Sequence, residues 1–588
     1  MIPDLLEIPA IKSAYAQGLT VQALMNVLYD RIEAYPDKAV FISLVPREAV
    51  LAAISDDRTL PLYGIPFVVK DNIDVAGLPT TAACPDFAYT PTADATVVAR
   101  LRAAGAMLLG KTNLDQFATG LNGTRSPYGA PRCVFNADYI SGGSSSGSAV
   151  AVAAGLAAFA LGTDTAGSGR VPAACNNIVG LKPSVGRISA AGVVPACKSL
   201  DCVAIFCSTA ADAMTVLNVV EGYDPTDPYS RPPRTVGLPV APRLGVLAPQ
   251  DRDFAGDNAA AALYEATLRG ASAQLGAALV EIDYSPFRDI AALLYGGAFV
   301  AERLAAVRSF YATHSRSFDP TVRTIIGGAE RFSAADAFAD IYKVQALRHA
   351  ATAELAKVDA LLLPTAPTIF TVAQLVEQPI ARNSTLGLYT NFVNLLDLAA
   401  IAVPAGFRKN GLPFGVTFIG PAFSEAALAN YAQALHKALD SGAGVTRRAP
   451  RAVYVGPIPD EVRLVVAGAH MSEMVLNHEL IDLNARLICA TTTAPEYKLY
   501  SLATTPSKPG LAHTPGFAGK GIAVEVWALT LEAFGRFVAF LPAPMGIGRV
   551  TLADGSVHPG FLCEAYALEG ATDITAYGSW RTYLHASR

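Results

Sequence analysis

Hydrophobic positions along the first 440 residues switch repeatedly between two periods. Thr20–Ala34 carries Val21, Leu24, Met25, Val27, Leu28 and Ile32 at helical spacing and stops before Pro36, which predicts a helix. Val40–Leu44 reads as a short strand, and Leu62–Asn72 as a β-rich run ending in the charged cluster Lys70-Asp71-Asn72. Ala95–Ala104 predicts a helix and Met107–Leu109 a buried strand closing at Gly110-Lys111. The alternation continues through Val193–Ser208, a helix at Ala210–Val220, a strand at Leu244–Leu247 and a long helix near Ala259–Leu279. Residues 285–355 read as mainly helical, a cap or insertion. Ala360–Pro367 reads as a buried strand ending in a Pro-rich loop, Phe392–Val403 and Gly415–Ile419 close this first unit, and a helix runs to about Leu439. Strands alternating with helices imply an α/β fold, a mixed central β-sheet covered by helices on both faces. Asp224–Pro242, rich in proline and aspartate, reads as a surface loop.

The pattern changes at Ser441–Arg451, which is small, basic and proline-bearing. The reading is a first domain over 1–440, a linker over 441–454 and a C-terminal α+β domain over 455–588, with strands at Val462–Ala467, Leu487–Thr492, Ile522–Leu529 and Phe561–Leu568. A chain of 588 residues is too long for one compact domain. Hydrophobic residues at 52% against 16% charged favour large buried cores. A net charge of −5 without a basic run argues against nucleic acid as a partner. The start, Met1-Ile-Pro-Asp4, shows no signal peptide, and apolar runs such as Ala149–Leu161 are too short to span a bilayer, so no membrane is expected. Eight cysteines without metal-ligand spacing read as reduced thiols, and a cytoplasmic location is the expectation.

Candidate chemistry concentrates in Ser141–Pro172, where two Gly/Ser loops flank one apolar run, Ala149–Leu161, read as a single short helix. Such loops are entropically costly to order, yet they supply convergent N–H groups and reactive hydroxyls. The plain alternative is an ordinary linker. A serine nucleophile needs a base, and the histidines, beginning at His314, are all remote in sequence. Lys70, after the apolar strand Ile65–Val69, is the candidate, because burial lowers a lysine pKa. A solvent-facing lysine at a strand exit is the competing reading.

Lys70-Asp71-Asn72, Gly142–Ser145, Gly162–Ser168 and Gly180-Leu-Lys-Pro183 together resemble the amidase signature family, over about residues 20–440. The resemblance implies a Ser–cis-Ser–Lys set: Ser168 as nucleophile, Ser144 as the serine preceded by a cis peptide, and Lys70 as base. It implies an oxyanion hole from the N–H groups of Thr165, Ala166, Gly167 and Ser168, with Ala166 standing where members often have glycine. Asp164 and Arg170 are expected to be structural ions. Within the family the likeness is to the allophanate hydrolases, through Arg125–Gly129, Ser141–Ala149, Thr163–Pro172 and Val194–Cys202. Tyr295 and Arg303, eight apart and so expected on one face of one helix, match that group's substrate-holding positions, and Gly120 its backbone contact. Without the resemblance, Arg303 reads as a surface arginine paired with a glutamate. Through Val465–Ser472, Leu476–His478, Pro542–Gly548, Gly560–Glu564 and Asp573–Thr575, residues from about 455 to 588 resemble the C-terminal domain of that group, which is similar to the γ-glutamylcyclotransferase-like barrel fold. His470, with Asn477 and His478 behind it, is the candidate polar or acid–base group there. The stretch Phe537–Met545 has no acidic residue, so cyclotransferase activity is not expected.

The resemblance thus implies hydrolysis of allophanate to ammonia and N-carboxycarbamate, ending as carbon dioxide and more ammonia. The C-terminal domain either assists decarboxylation or serves dimer contacts. No cofactor and no metal are implied. The expected partners are the substrate, a functional link to urea carboxylase and a second copy in a homodimer. Two alternatives stand beside this: a broad-specificity amidase or the amidase component of an amidotransferase, and a non-catalytic scaffold with an amidase fold.

Overall fold

The computed structural model describes residues 2–451, 461–483 and 485–587. The chain divides into two compact units, Met1–Gly456 and Pro457–Arg588. The end of the expected linker at 454 and the expected start of the second domain at 455 lie outside the described residues.

The first unit is built on one mixed sheet of eleven strands. Across the sheet these are Phe41–Leu44, Met107–Thr112, Pro66–Lys70, Phe159–Asp164, Cys202–Cys207, Val179–Lys182, Leu398–Phe407, Pro413–Pro421, Ala360–Pro364, Arg243–Leu247 and Ala278–Ile282. The predicted α/β architecture is therefore present. Pro66–Lys70 lies parallel to both neighbours, Met107–Thr112 and Phe159–Asp164. Every residue of these three strands is buried. That explains their continuous apolar runs, because a parallel strand covered on both faces has no solvent side to alternate with. Their carboxyl ends, at Lys70, Thr112 and Asp164, fall on one edge of the sheet, the edge at which ligands usually bind an open α/β sheet.

Three expectations are corrected. The run Ala149–Leu161 is not one helix: the helix Ser146–Ala153 ends, Gly155 turns the chain at φ 68°, and Phe159–Asp164 is a strand. The helix expected over Ala259–Leu279 is Asn258–Leu275, closed by left-handed Gly276, and Leu279 belongs to the edge strand Ala278–Ile282. Gly110 and Lys111 do not close their strand, which continues to Thr112.

The segment 285–355 folds into the helices Ser285–Gly296, Val300–His314, Pro320–Gly327 and Ala334–Leu355. Ser285–Ser317 is long and apolar enough to cross a bilayer by composition alone, but half of its most apolar window is buried within the protein.

In the second unit, Arg486–Thr492, Ala523–Thr530, Glu461–Val466, Val557–Cys563 and Met545–Thr551 form one sheet, in that order. Pro509–His513, Tyr497–Ser501 and Thr572–Asp573 form a smaller one. The strand expected over Phe561–Leu568 stops at Cys563, and Ala565–Leu568 is a short 3₁₀ turn. This unit has its own core, with Leu464, Leu499, Trp527, Val550 and Trp580 buried.

Candidate active site

Lys70 ends the central parallel strand with its side chain 0% exposed. Its ammonium donates to Ser144 Oγ and to Thr163 Oγ1, both at 2.7 Å. Burial pushes the Lys70 pKa down to about 7, assisted by Arg303 and opposed by the more distant carboxylates of Asp115, Asp201 and Asp164. An amine so placed exchanges a proton readily near neutral pH.

Ser144 precedes the helix Ser146–Ala153, and the Gly143–Ser144 peptide bond is cis. The Ser144 carbonyl accepts from Asp115 N at 3.0 Å. Asp115 is fully buried, and its carboxylate collects the N–H groups of Asn122, Gly123 and Arg125 at 3.0–3.2 Å. A Cβ on Gly143 would collide with Asp115 Oδ2 and Gly123 N, so this position admits only glycine.

Ser168 lies in the turn after Phe159–Asp164 and is 3% exposed. Its hydroxyl donates to the Gly120 carbonyl at 3.4 Å. Among the described residues, Ser168 and Ser144 share no hydrogen bond, so the structure brings Lys70 to Ser144 but leaves Ser168 turned toward Gly120. The N–H groups of Thr165, Ala166, Gly167 and Ser168 meet no protein acceptor among the described residues and remain available to an oxyanion. The loop is held from below by Asp164 and Arg170, which form a bidentate pair at 2.9 and 3.0 Å with neither side chain exposed. Against the effect of burial, Arg170 keeps the Asp164 carboxyl below its ordinary range. This is the structural ion pair that the motif suggested.

Tyr295 and Arg303 come together, though not on one helix. Tyr295 lies in Ser285–Gly296 and Arg303 in Val300–His314. The break falls at Gly297–Phe299, where Asp340 accepts from Ala298 N at 2.6 Å and leaves no room for a Cβ on Gly297. The Arg303 guanidinium donates to Tyr295 Oη at 3.0 Å and to Thr119 Oγ1 at 3.1 Å, and it stacks over the Tyr295 ring. It is 2% exposed, contacts no carboxylate among the described residues, and its Nε is unpartnered. Glu302, the glutamate a surface reading would pair with it, is engaged instead by Ser199. A buried cation without a counter-ion is costly unless an anion arrives, so the arrangement fits an anionic ligand. Thr119 adjoins Gly120, which places this cation one residue along the chain from the acceptor of Ser168.

Sequence reading missed several supporting groups. Thr163 shares the Lys70 ammonium, and Asn72 Nδ2 donates to the Val194 carbonyl at 3.0 Å. Asp201 receives Thr165 Oγ1 and the N–H groups of Ala196 and Cys197. Burial pushes the Asp201 carboxyl up to about 6. Asp115 and Asp201 each sit a few residues past an apolar strand or inside a matched stretch, but their partners are brought close only by folding.

In the second unit, His470 lines a cavity of about 610 Å³ walled by residues such as Leu476, Phe537, Leu541, Met545 and Phe561. Its ring stacks on Phe561 at 5.2 Å, and its Nε2 faces Glu479 at 2.9 Å. Asn477 bonds the His470 carbonyl at 2.9 Å and so supports the turn. His478 is exposed, bonds Val475 O and does not line the cavity. No cluster of three or more metal-ligating side chains occurs among the described residues.

Residues 23–429 match the Amidase family, and residues 462–585 match the Allophanate hydrolase C-terminal domain. The chain is 43% identical to urea amidolyase of Saccharomyces cerevisiae, an alignment covering 95% of this chain and 32% of that protein. It is 44% identical to urea amidolyase of Lachancea kluyveri, again over 95% of this chain and 32% of that protein. The chain thus spans about a third of the length of these relatives. Among solved structures it is similar to Kluyveromyces lactis allophanate hydrolase, with a TM-score of 0.76, 41% identity and 99% of both chains covered. It is also similar to one component of the Glutamyl-tRNA(Gln) amidotransferase of Thermotoga maritima, with a TM-score of 0.61 and 28% identity over 74% of this chain and 94% of the other.

Proposed function

This chain belongs to the amidase family, and from that premise we propose that it hydrolyses allophanate to ammonia and N-carboxycarbamate. The observation that carries the reading is Arg303: a buried guanidinium held by Tyr295 and Thr119, without a carboxylate partner among the described residues, beside the Ser168 loop. A substrate combining a carboxylate with a terminal amide satisfies both features. Likeness to an allophanate hydrolase over almost the whole chain supports the same substrate. The amidotransferase component, by contrast, is matched over only 74% of this chain.

In the proposed reaction, Ser168 rotates from Gly120 toward Ser144. Neutral Lys70 takes a proton from Ser144 as Ser144 takes one from Ser168, whose oxygen attacks the amide carbonyl carbon. The N–H groups of residues 165–168 receive the oxyanion, and each such donor is worth roughly 3–4 kcal/mol in acyl transfer. The relay reverses to deliver the proton to departing ammonia, and water then cleaves the acyl-enzyme by the same path. The released N-carboxycarbamate loses carbon dioxide. The His470–Glu479 pair in its cavity supports assistance of that step by the second unit. The reading places the enzyme after carboxylation of urea, consistent with its urea amidolyase relatives. Cysteines that are all unpaired support a reducing, cytoplasmic setting. A homodimer is part of the same reading by family likeness.

Ammonia release from allophanate and from the uncharged diamide malonamide tests the assignment. Arg303→Ala is expected to raise KM for allophanate about 100-fold, the loss of a charge-assisted bidentate pair, while malonamide turnover changes less than about threefold. An equal loss on both substrates overturns the role of Arg303.

A further inference from the structure

The loop Val194–Asp201 runs between three parts of the site and is tied to each. At its start, Val194 N donates to Asn72 O at 2.8 Å and Val194 O accepts from Asn72 Nδ2 at 3.0 Å, two residues from Lys70. At its end, Asp201 takes the Thr165 hydroxyl of the oxyanion loop and folds the segment back through Ala196 N at 2.7 Å and Cys197 N at 3.2 Å. Asn394 adds a second tie there, donating to Leu200 O at 2.9 Å and Asp164 O at 2.8 Å. In between, Ser199 donates its N–H to Glu302 Oε2 at 3.0 Å and its hydroxyl to Glu302 Oε1 at 2.6 Å. Glu302 immediately precedes Arg303 on the helix Val300–His314. Both of its oxygens are therefore spent on this loop, and it forms no ion pair among the described residues.

Resting on the substrate assignment above, we infer that Glu302 and Asp201 are positioning residues. Through the loop they share, they fix the distance between the cation that grips the substrate carboxylate and the N–H groups that receive the oxyanion. Allophanate is short and planar, so its two ends cannot adapt to a shift between these parts. A reacting-atom misplacement of about 1 Å costs on the order of 100-fold in rate. An amide without a carboxylate does not use Arg303 and is indifferent to its register. Glu302 thus acts in selectivity for carboxylate-bearing amides, while Asp201, which holds Thr165 itself, serves every amide.

The test is steady-state kinetics of the full chain on allophanate and malonamide. Glu302→Ala, which removes both acceptors of the Ser199 N–H and hydroxyl, is expected to lower kcat for allophanate about 30-fold with KM changed less than about threefold, and to leave malonamide turnover within about twofold. Ser199→Ala should lower allophanate kcat in the same sense by a smaller factor. The Ser199→Ala/Glu302→Ala pair should fall no further than Glu302→Ala alone, because Glu302→Ala already removes the partner of the Ser199 hydroxyl. Asp201→Asn should lower kcat on both substrates. Equal losses on the two substrates for Glu302→Ala, multiplying losses in the pair, or a KM rise like that of Arg303→Ala would each overturn the inference. If Glu302→Ala does not fold, Ser199→Ala, which deletes one half-buried hydroxyl, decides the matter by its split between the two substrates. Wild-type turnover of allophanate that depends on Arg303 upholds the substrate assignment whatever Glu302 does, so the two ideas fail separately.

Discussion

At the scale of single residues, the site turns on one amine kept near its neutral form. Burial brings the Lys70 pKa from the ordinary 10.5 down to about 7, and among the described residues its ammonium hydrogen-bonds only to hydroxyls. The base must be deprotonated, so kcat/KM for malonamide should rise about tenfold per pH unit below 7 and level off above it. Lys70→Arg, which stays charged, should lose both the activity and the rise. A profile flat from pH 6 to 8 in the wild type would remove Lys70 as the base. Lys70, Ser144 and Ser168 were legible because they sit in short local motifs, and the contact between Lys70 and Ser144 is in place. Thr163, Asp115 and Asp201 were not, because their meaning is a partner far along the chain: Asp201 reads as one polar residue in a loop until folding sets it against Thr165. Arg303 was legible by resemblance alone; its lack of a counter-ion is a fact of three-dimensional packing.

At the scale of elements, the carboxyl ends of three parallel strands and one buried helix set the site. Strand positions were readable from apolar runs, since a strand with two covered faces needs nothing else. Helix–strand boundaries were not. Ala149–Leu161 is uniformly apolar because a buried helix and a buried strand share that composition, and only Gly155 marks the change. The helix Ser146–Ala153 also carries a glycine in its first turn where an open helix would gain about 1 kcal/mol from alanine. Here the sign should reverse. A Cβ at Gly147 would collide with Val40 O and come within 2.7 Å of Asn113 N, both backbone atoms that do not yield easily. Gly147→Ala should therefore destabilise the first unit by about 1–3 kcal/mol in chemical denaturation. A stabilised Gly147→Ala would show that this helix is not pressed against the Asn113 segment.

At the scale of the whole molecule, the two units have separate cores, one built from residues between Leu6 and Leu435 and the other from residues between Leu464 and Trp580. Among the described residues each core is made of side chains of its own unit, so each has the makings of its own cooperative transition. The chain provides a ready means to see this. Its two tryptophans, Trp527 and Trp580, both lie in the second core, 3% exposed, whereas most of the helix belongs to the first unit. Tryptophan emission therefore follows the second unit, and ellipticity at 222 nm chiefly the first. A smaller domain buries a smaller fraction of its surface and exposes less on unfolding. In a urea titration the emission change should come at lower denaturant and with a shallower slope than the loss of ellipticity, and allophanate-dependent ammonia release should track the ellipticity. Superimposable curves for emission, ellipticity and activity would mean that the two cores unfold as one, and that the second unit's condition governs the chemistry of the first.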